Sequence, residues 1–460
     1  MSVEPEWRQM TFEELLARDR GEAPNDRQSD EEGSGSHGSE GSGTARLLEE
    51  VLERRNLKVA LKRVRRNRGS PGIDGMTVDE LLPWLHGHWA EVKAAIKAGT
   101  YRPSPVKRRE IPKPGGGIRQ LGIPTVLDRF IQQAILQVLQ PLFDPTFSEY
   151  SFGFRPGRSA HGAVRCAQAY IQEGRRVVVD VDLEKFFDRV NHDVLMDRLG
   201  KRIRDRRVLR LIRRYLESGV MANGVMVERY EGTPQGGPLS PLLANVLLDD
   251  VDKELERRGH AFVRYADDGQ VYVRSRRAGE RVFALLRRLF GQLRLRVNED
   301  KSRVVSAFRC SFLGFAFWAS RGGEVKLRVT KKALGRMQDR VRQLTKRNSG
   351  RSLEQTVAKL RSYLIGWRGY FRLADTPRAM ENLDAWIRRR LRAIQLKQWK
   401  RGTTAFRELR ARGASVDLAA SIAKGTRRWW WSACKRLHYV LTNSWTDELG
   451  VPRLAPTTST

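Results

Sequence analysis

Two adjacent carboxylates at a chain reversal constrain the fold of this protein more than any other sequence feature. Asp267 and Asp268 stand between two β-like runs, residues 261–264 and 270–274, and Gly269 follows them as in a tight hairpin. Like charges on neighbouring turn residues repel each other. Paired carboxylates can instead bind Mg²⁺, as in nucleotidyl transfer. Asp and Gly are also ordinary turn residues, so the string alone leaves a solvated hairpin tip equally open.

The charge of the chain is strongly basic and unevenly distributed. The 460 residues carry a net charge of +33, yet residues 1–45 hold eleven acidic and only four basic residues. The remainder repels itself unless an anionic partner neutralises it, which favours nucleic acid. A membrane is disfavoured, because no apolar run approaches about 18 residues and the first residues do not resemble a signal peptide.

The cysteines bear on metal binding and on the redox compartment. Cys166, Cys310 and Cys434 lie far apart and form no paired metal-ligand spacing. This pattern argues against a zinc site and a disulfide framework, and it fits the reducing cytoplasm.

Hydrophobic periodicity divides the chain into a short N-terminal segment (1–27), a disordered acidic Gly/Ser linker (28–44) and a folded body. The body is expected to begin with a helix over residues 47–64. Residues 101–124 are expected to be extended and turn-rich. Further helices are predicted over residues 78–98, 125–142, 157–173, 191–218, 241–257 and 278–293. Strands are predicted over residues 177–182, 219–221, 225–230 and 312–315. From residue 330 onward the pattern is helical and very basic.

A two-metal site usually needs a third acidic ligand from a neighbouring strand. The run over 177–182 supplies two candidates, because alternation places Asp180 and Asp182 on one face and the valines on the other. A carboxylate in an apolar strand is costly unless it is paired or metal-bound. Chemistry alone does not choose between the two, and Asp188 could equally be a structural hydrogen-bond acceptor.

Two glycine-rich segments could surround a nucleotide. In the first, a glycine turn between Lys113 and Arg119 could lay backbone amides and two cations against a triphosphate. A basic hairpin is the alternative. The second, residues 232–241, holds enough Gly and Pro to force an irregular backbone before a helix. The Gln235 amide would lie close to a ligand there, although a rigid structural corner is also possible.

In this order and spacing, the segments resemble the reverse transcriptases, or maturases, encoded by bacterial group II introns. The resemblance runs from about residue 47 to about residue 410. Its markers are residues 68–76, 111–124 with Asp128-Arg129, 151–159, 182–188, the Pro-Gln-Gly-Gly loop, the Asp-Asp hairpin, 295–301 and 312–315.

The resemblance implies an α+β right-hand polymerase. Fingers and a palm with an antiparallel sheet would span residues 45–325, and a helical thumb or maturase domain would span 326–415. A short basic, DNA-binding-like tail would follow over 416–460. The resemblance also implies two Mg²⁺ ions, with Asp182, Asp267, Asp268 and the backbone carbonyl of Leu183 as ligands.

The implied substrate contacts fall into two groups. Those to the nucleotide are Lys113, Arg119, Phe187, Gln235 and Lys301, of which Phe187 would exclude the ribose 2′-OH. Those to primer and RNA are Phe312, Leu313, Gly314, Arg361, Arg368, Arg388 and Arg389. The aromatic residues of the same helices, Trp367, Tyr370 and Trp386, are expected mostly to be core residues.

The resemblance implies an RNA-directed DNA polymerase that copies intron RNA and assists its splicing and mobility. Its partners would be intron and template RNA, a DNA primer or target and deoxynucleoside triphosphates, in a cytoplasmic bacterial ribonucleoprotein without a membrane. No HNH-type His and paired Cys follow Lys400, so this member is expected not to cut target DNA itself. Two alternatives are a maturase used mainly for splicing and a domesticated reverse transcriptase of DNA repair or phage defence.

Overall fold

The computed structural model describes residues 43–112, 118–222, 225–227, 231–233, 236–425 and 429–455. Within these ranges the chain forms two compact units. The first comprises the residues up to Cys166 together with Val177–Val305, and the second comprises Ala167–Arg176 together with the residues from Ser306 onward. No helix in the described ranges is long and apolar enough to cross a membrane.

The elements that begin in the first unit follow the predicted pattern closely. The helices are α1 (Leu47–Val51), α2 (Arg54–Asn67), α3 (Leu81–Lys97), α4 (Val126–Phe143), α5 (Ala160–Gln172), α6 (His192–Gly200), α7 (Arg206–Glu217), α8 (Ser240–Arg257) and α9 (Arg276–Gln292). The strands are β1 (Val106–Pro112), β2 (Ile118–Ile123), β3 (Val177–Val181), β4 (Val220–Ala222), β5 (Val225–Val227), β6 (Ala261–Tyr265), β7 (Asp268–Val273) and β8 (Arg303–Ser306).

The predicted helix over 47–64 is interrupted, so this prediction was wrong in one respect. α1 ends at Val51 and α2 begins at Arg54, with Glu53 in an extended conformation (φ −65°, ψ 139°). The Asn56 side chain donates from Nδ2 to the Val51 carbonyl at 2.9 Å and to the Ala134 carbonyl on α4 at 3.0 Å. One amide thus satisfies a carbonyl at the end of α1 and ties the break to α4.

A four-stranded sheet in the order β6-β7-β3-β8 carries the candidate acidic residues. β7 pairs antiparallel with both β6 and β3. β3 is rich in valine, and Val178, Val179 and Val181 are buried, as expected for a strand in the middle of a sheet. α9 packs on β3 and β7, and α8 contacts β6. Helix packing therefore fixes the strands that end at the acidic residues.

A second sheet in the same unit has the order β2-β1-β4-β5. β1 pairs antiparallel with β2, from Lys107 opposite Ile123 to Pro112 opposite Ile118, and parallel with β4. The extended structure predicted within residues 101–124 is confirmed for both strands. The glycine turn between them, with Lys113, lies outside the described residues.

The second unit combines a small sheet with a series of helices. Its strands, in the order β11-β10-β9, are β9 (Ser311–Phe312), β10 (Phe315–Ala319) and β11 (Val325–Val329). Its helices are α10 (Lys331–Leu344), α11 (Leu353–Phe371), α12 (Pro377–Gln398), α13 (Gly402–Ala411), α14 (Val416–Lys424), α15 (Trp429–Lys435) and α16 (Asn443–Glu448). The chain is thus α+β with antiparallel strands and a helical C-terminal region, as predicted.

Residues 312–315, predicted as part of a strand, include the end of β9 (Phe312) and the start of β10 (Phe315), but the chain reverses between them. Leu313 and Gly314 have φ values of 50° and 84° and form the turn between β9 and β10.

The contacts between residues group 306–325 with the helical unit, although the sequence analysis placed them with the palm. Residues of the C-terminal tail such as Ile422, Leu437 and Leu441 share one hydrophobic core with Leu396 and Trp399.

Candidate active site

A two-residue turn presents the acidic pair at one end of the first sheet. Tyr265 pairs with Asp268, so the turn consists of Ala266 and Asp267, and Asp268 is the first residue of β7. The positive φ of the turn falls on Ala266 (60°), whereas Gly269 lies within the strand opposite Arg264. The predicted hairpin is confirmed, but Gly269 does not make its turn.

The strand register separates the two candidates for the third carboxylate. β3 runs antiparallel to β7, with Val181 opposite Gly269, so one step further brings Asp182 opposite Asp268. Asp180 lies opposite Gln270, which donates from Nε2 to Asp180 Oδ1 at 2.9 Å. Asp182 therefore lies level with the acidic pair at the end of the sheet. Asp180 lies one pair further in, where Gln270 holds it, although its charge still acts on Asp268.

The acidic edge has a strongly negative local potential. Desolvation raises the pKa of Asp268 to about 7. The charges of three neighbouring carboxylates add to this rise: Asp180, Asp267 and Asp182. A bound cation would relieve this repulsion and lower the pKa again.

The segment 296–302 holds Asp182 in place from the other side. Asp182 donates its N–H to Ser302 Oγ at 3.0 Å, and its carbonyl accepts from the Asn298 N–H at 2.8 Å. Leu183 forms an antiparallel bridge to Val297. Lys301 Nζ lies 3.3 Å from Asp182 Oδ2, so the predicted nucleotide contact Lys301 pairs with a predicted metal ligand.

The acidic edge fits a hard divalent cation in its ligand chemistry. Asp182, Asp267 and Asp268 keep solvent-accessible surface, although the protein atoms packed around Asp268 desolvate its carboxyl group. Carboxylate oxygens are the ligands that Mg²⁺ prefers. Across the described ranges, no three His, Cys, Asp or Glu side chains are already gathered closely enough to hold a metal. The side chains would therefore have to converge when a cation binds.

Phe187 lies beside the sheet in a 3₁₀ turn, Phe186–Asp188, where it is half-buried. Its ring packs edge-on against Phe186 at 5.0 Å between centroids. Its carbonyl accepts from the Thr233 N–H at 2.7 Å, and a Cβ on Gly232 would lie 2.9 Å from that carbonyl oxygen. The start of the Gly/Pro-rich segment is thus packed on the Phe187 backbone.

The remaining predicted nucleotide contacts are only partly described. Lys113 and Gln235 lie outside the described residues. Arg119 is in β2 opposite Ile111. A Cβ on Gly236 would lie 2.6 Å from the Gly122 carbonyl oxygen of β2, so the loop beside Gln235 approaches the strand that carries Arg119.

In the second unit, the predicted primer contacts divide into core and turn. Phe312 has no exposed surface, which contradicts a direct contact between its side chain and a primer. Leu313 and Gly314 form the turn, and the Leu313 carbonyl accepts from Tyr370 Oη at 2.9 Å. A Cβ on Gly314 would lie 3.3 Å from the Phe371 ring. The turn is thus fixed on α11, and Leu313 itself is half-buried.

The predicted RNA-facing arginines also divide. Arg361, Arg368 and Arg389 are exposed. Arg388 is only 4% exposed; it pairs with Asp447 at 3.2 Å and donates to Thr446 Oγ1 at 3.0 Å. Its guanidinium is committed within the protein, so the prediction that Arg388 contacts RNA is corrected to a structural role.

Sequence reasoning missed two buried arginines. Arg392 is 5% exposed and lines a cavity of about 870 Å³ between α12 and the C-terminal segment, with Arg389, Lys435 and His438. Desolvation and two neighbouring arginines lower the pKa of Arg392 to about 10. The second missed residue, Arg264, lies in β6 beneath the hairpin. The sequence signal for Arg264 was a charged residue inside an apolar strand. The signal for Arg392 was its four-residue spacing from Arg388, which places both on one face of α12.

Two protein families match most of the folded body. Residues 111–317 match the family described as reverse transcriptase (RNA-dependent DNA polymerase). Residues 334–413 match the group II intron, maturase-specific domain. Reverse transcriptases generally use divalent metal ions, and the two domains together imply binding of RNA and DNA.

Similar proteins come from two bacteria and a yeast. Protein YkfC of Escherichia coli is 31% identical over 56% of this chain and 79% of its own length. The group II intron-encoded protein LtrA of Lactococcus lactis is 40% identical over 35% of this chain and 26% of its own length. A putative COX1/OXI3 intron 2 protein of Saccharomyces cerevisiae is 32% identical over 46% of this chain and 25% of its own length. The chain thus spans about a quarter of the latter two proteins.

Proposed function

Because this chain belongs to the reverse transcriptase/maturases of group II introns, whose polymerase domain is RNA-directed, we propose that it copies intron RNA into DNA and assists its splicing. Asp182, Asp267 and Asp268 would carry the polymerisation. One observation supports this assignment above all others: the β3–β7 register brings Asp182 to the edge that holds the acidic pair. The proposed setting is a ribonucleoprotein in the bacterial cytoplasm.

The proposed cofactor is a pair of Mg²⁺ ions, with Asp182, Asp267, Asp268 and the Leu183 carbonyl as ligands. When bound, the ions supply activation of the primer 3′-OH and neutralisation of phosphate charge. The solvent-accessible carboxylates and the raised pKa of Asp268 support this proposal. Lys301 would balance the charge of Asp182 until the nucleotide arrives, since its Nζ lies 3.3 Å from that carboxylate.

The neighbouring residues would bind and orient the deoxynucleotide. Lys113 and Arg119 would hold the triphosphate by charge, and Gln235 would contact the nucleotide from the Gly/Pro-rich loop. Phe187 would fill the space that a ribose 2′-OH needs. The hydrogen bond from Thr233 to the Phe187 carbonyl supports this last role, because a discriminating side chain must be held in place.

Nucleic acid would contact the second unit through exposed cations and backbone. Arg361 and Arg368 are exposed and two helical turns apart on α11, so they face the same way. The Leu313-Gly314 turn would contact the primer through its backbone. The cavity at Arg389, Arg392 and Lys435 would take nucleic-acid phosphates, because its lining carries more cations than carboxylates.

The proposal is tested by Mg²⁺-dependent primer extension on an RNA template with the Asp268→Asn protein. The expected result is loss of extension with retained RNA binding. The matched control is Asp197→Asn, which removes an exposed carboxylate on α6 that pairs with Arg198 and should extend like the wild type. Retained extension by Asp268→Asn would contradict the assignment.

A splicing role independent of polymerisation is favoured by the maturase-specific match over residues 334–413. If both roles coexist, Asp268→Asn should still promote splicing of its intron RNA while it fails to extend a primer. Loss of both activities with normal folding would argue against separable roles.

A further inference from the structure

A buried ion pair lies directly beneath the acidic hairpin. Arg264 on β6 donates from Nε to both carboxylate oxygens of Asp252 at 2.9 Å, and its Nη2 donates to Oδ2. The side chains of Arg264 and Asp252 are only 7% and 2% exposed. A guanidinium held by two parallel bonds in a dry environment has a fixed orientation.

The free end of the same guanidinium reaches the hairpin turn. Arg264 Nη1 donates to the Ala266 carbonyl at 2.9 Å and to Asn245 Oδ1 at 2.9 Å. Ala266 is the turn residue with φ 60°. For any residue that has a Cβ atom, this conformation is unfavourable in free energy, and it persists only where contacts hold it. The charge-assisted bond from Arg264 is such a contact.

A glycine closes the turn from its other side. Asn245 Nδ2 donates to the Gly153 carbonyl at 2.9 Å, and a Cβ on Gly153 would lie only 2.2 Å from the Ala266 nitrogen. The backbones of Arg264 and its neighbours Tyr150 and Phe152 exchange hydrogen bonds of 2.9 and 2.8 Å. Ala266 is therefore enclosed between the guanidinium and the Gly153 backbone.

One helix anchors this arrangement. Asn245 and Asp252 both belong to α8 and are seven residues apart, so they lie on the same helix face. Both are 1% exposed. Arg264 thus links the turn that carries Asp267 and Asp268 to a rigid helix.

We propose that Arg264, locked by Asp252 and Asn245, is a positioning residue that sets where the acidic hairpin presents Asp267 and Asp268. Arg264 touches neither substrate nor metal in this proposal and acts only through the Ala266 carbonyl. The catalytic consequence rests on the proposed polymerase function, whereas the positioning itself does not.

The test uses amide hydrogen exchange and primer extension on the same full-length proteins. Arg264→Lys keeps a cation for Asp252 but removes the fork that reaches Ala266. We expect exchange at the Asp267 and Asp268 amides to rise about tenfold or more, as loss of one charge-assisted hydrogen bond implies. Exchange at Val271 and Tyr272 in the same strand should stay close to wild type.

Extension on RNA by Arg264→Lys should fall about tenfold at limiting Mg²⁺ and recover in part at high Mg²⁺, since a displaced ligand weakens metal binding. The control is Arg207→Lys, an arginine whose carboxylate partners are Glu49 and Asp205; it should change neither readout. Unchanged exchange at the turn, or equal acceleration throughout β6 and β7, would overturn the proposal.

Asn245→Ala keeps the proposal testable if Arg264→Lys does not fold. This variant leaves the Arg264–Asp252 pair intact and removes the two bonds that join it to Gly153 and Arg264. Amide exchange at Asp267 and Asp268 should rise in this variant too, by a smaller factor. Unchanged exchange at these two amides would refute the positioning role of Arg264 locked by Asn245. A wild-type protein without extension activity would refute the polymerase function alone, because the exchange result still decides the positioning.

Discussion

Replacing Gly153 by Ala tests how tightly the acidic hairpin is enclosed. The added Cβ would lie 2.2 Å from the Ala266 nitrogen, 2.9 Å from the Tyr265 carbonyl carbon and 3.0 Å from the Ala266 Cα. All three are backbone atoms, so no side chain can rotate away. The hairpin must move by about 1 Å to reach ordinary van der Waals distances.

Such overpacking costs about 1–3 kcal/mol of unfolding free energy. A displacement of about 1 Å at a reacting group can lower a rate about a hundredfold. We therefore expect Gly153→Ala to stay folded, to melt at a lower temperature and to incorporate single nucleotides about a hundredfold more slowly. Thermal unfolding and a single-turnover extension assay on an RNA template measure the two effects.

The control for this substitution is Gly87→Ala on α3, where a Cβ meets nothing within 4 Å. A helical glycine replaced by alanine should raise the unfolding free energy by about 0.5–1 kcal/mol without a change in extension. If Gly153→Ala extends at the wild-type rate, the close approach of Gly153 to the hairpin does not constrain Asp267 and Asp268, and the reasoning is refuted.

Three further predictions concern selectivity, RNA binding and pH. Phe187→Ala should admit ribonucleotides, and unchanged discrimination in a competition extension assay would refute its role. Arg389→Gln should lower the slope of log Kd against log salt for RNA by about 1, as for one lost phosphate contact. The exposed Arg401→Gln is the control, and equal slopes for the two variants would argue against phosphate binding in the cavity. The pKa of Asp268 is raised to about 7, so ionising it destabilises the metal-free fold as pH rises from about 4 through 7. Asp268→Asn should therefore raise the melting temperature of metal-free protein at pH 8 but not at pH 4, and no gain at pH 8 would contradict the raised pKa.

Local sequence chemistry predicted the acidic hairpin, but not the conformation of its turn. The general preference of glycine for positive φ pointed to Gly269, whereas Ala266 takes that conformation. The reason is tertiary: Arg264 holds the Ala266 carbonyl, and Gly153 leaves room for its nitrogen. Gly153 lies more than a hundred residues before the turn, and Arg264 is oriented by Asp252 and Asn245 on α8, so no local pattern around the turn contains this arrangement.

Strand alternation likewise narrowed the third carboxylate without choosing it. Asp180 and Asp182 share a face of β3, so only the register against β7 separates the residue level with the acidic pair from the one further in. The absence of tertiary information from a local pattern also explains why the predicted contacts at Phe312 and Arg388 were wrong. Their types and positions suited contacts with primer and RNA, but burial depends on which elements pack over them.

The comparison of Asp182→Asn with Asp180→Asn tests the account's central claim most directly. Both changes remove one carboxylate from the same face of β3, and Asn at 180 can still accept the hydrogen bond from Gln270 Nε2. Mg²⁺-dependent primer extension on an RNA template is the measurement. The account predicts loss of extension for Asp182→Asn and near wild-type extension for Asp180→Asn. Extension by Asp182→Asn, or equal loss in both proteins, would contradict a polymerase centre formed by Asp182, Asp267 and Asp268.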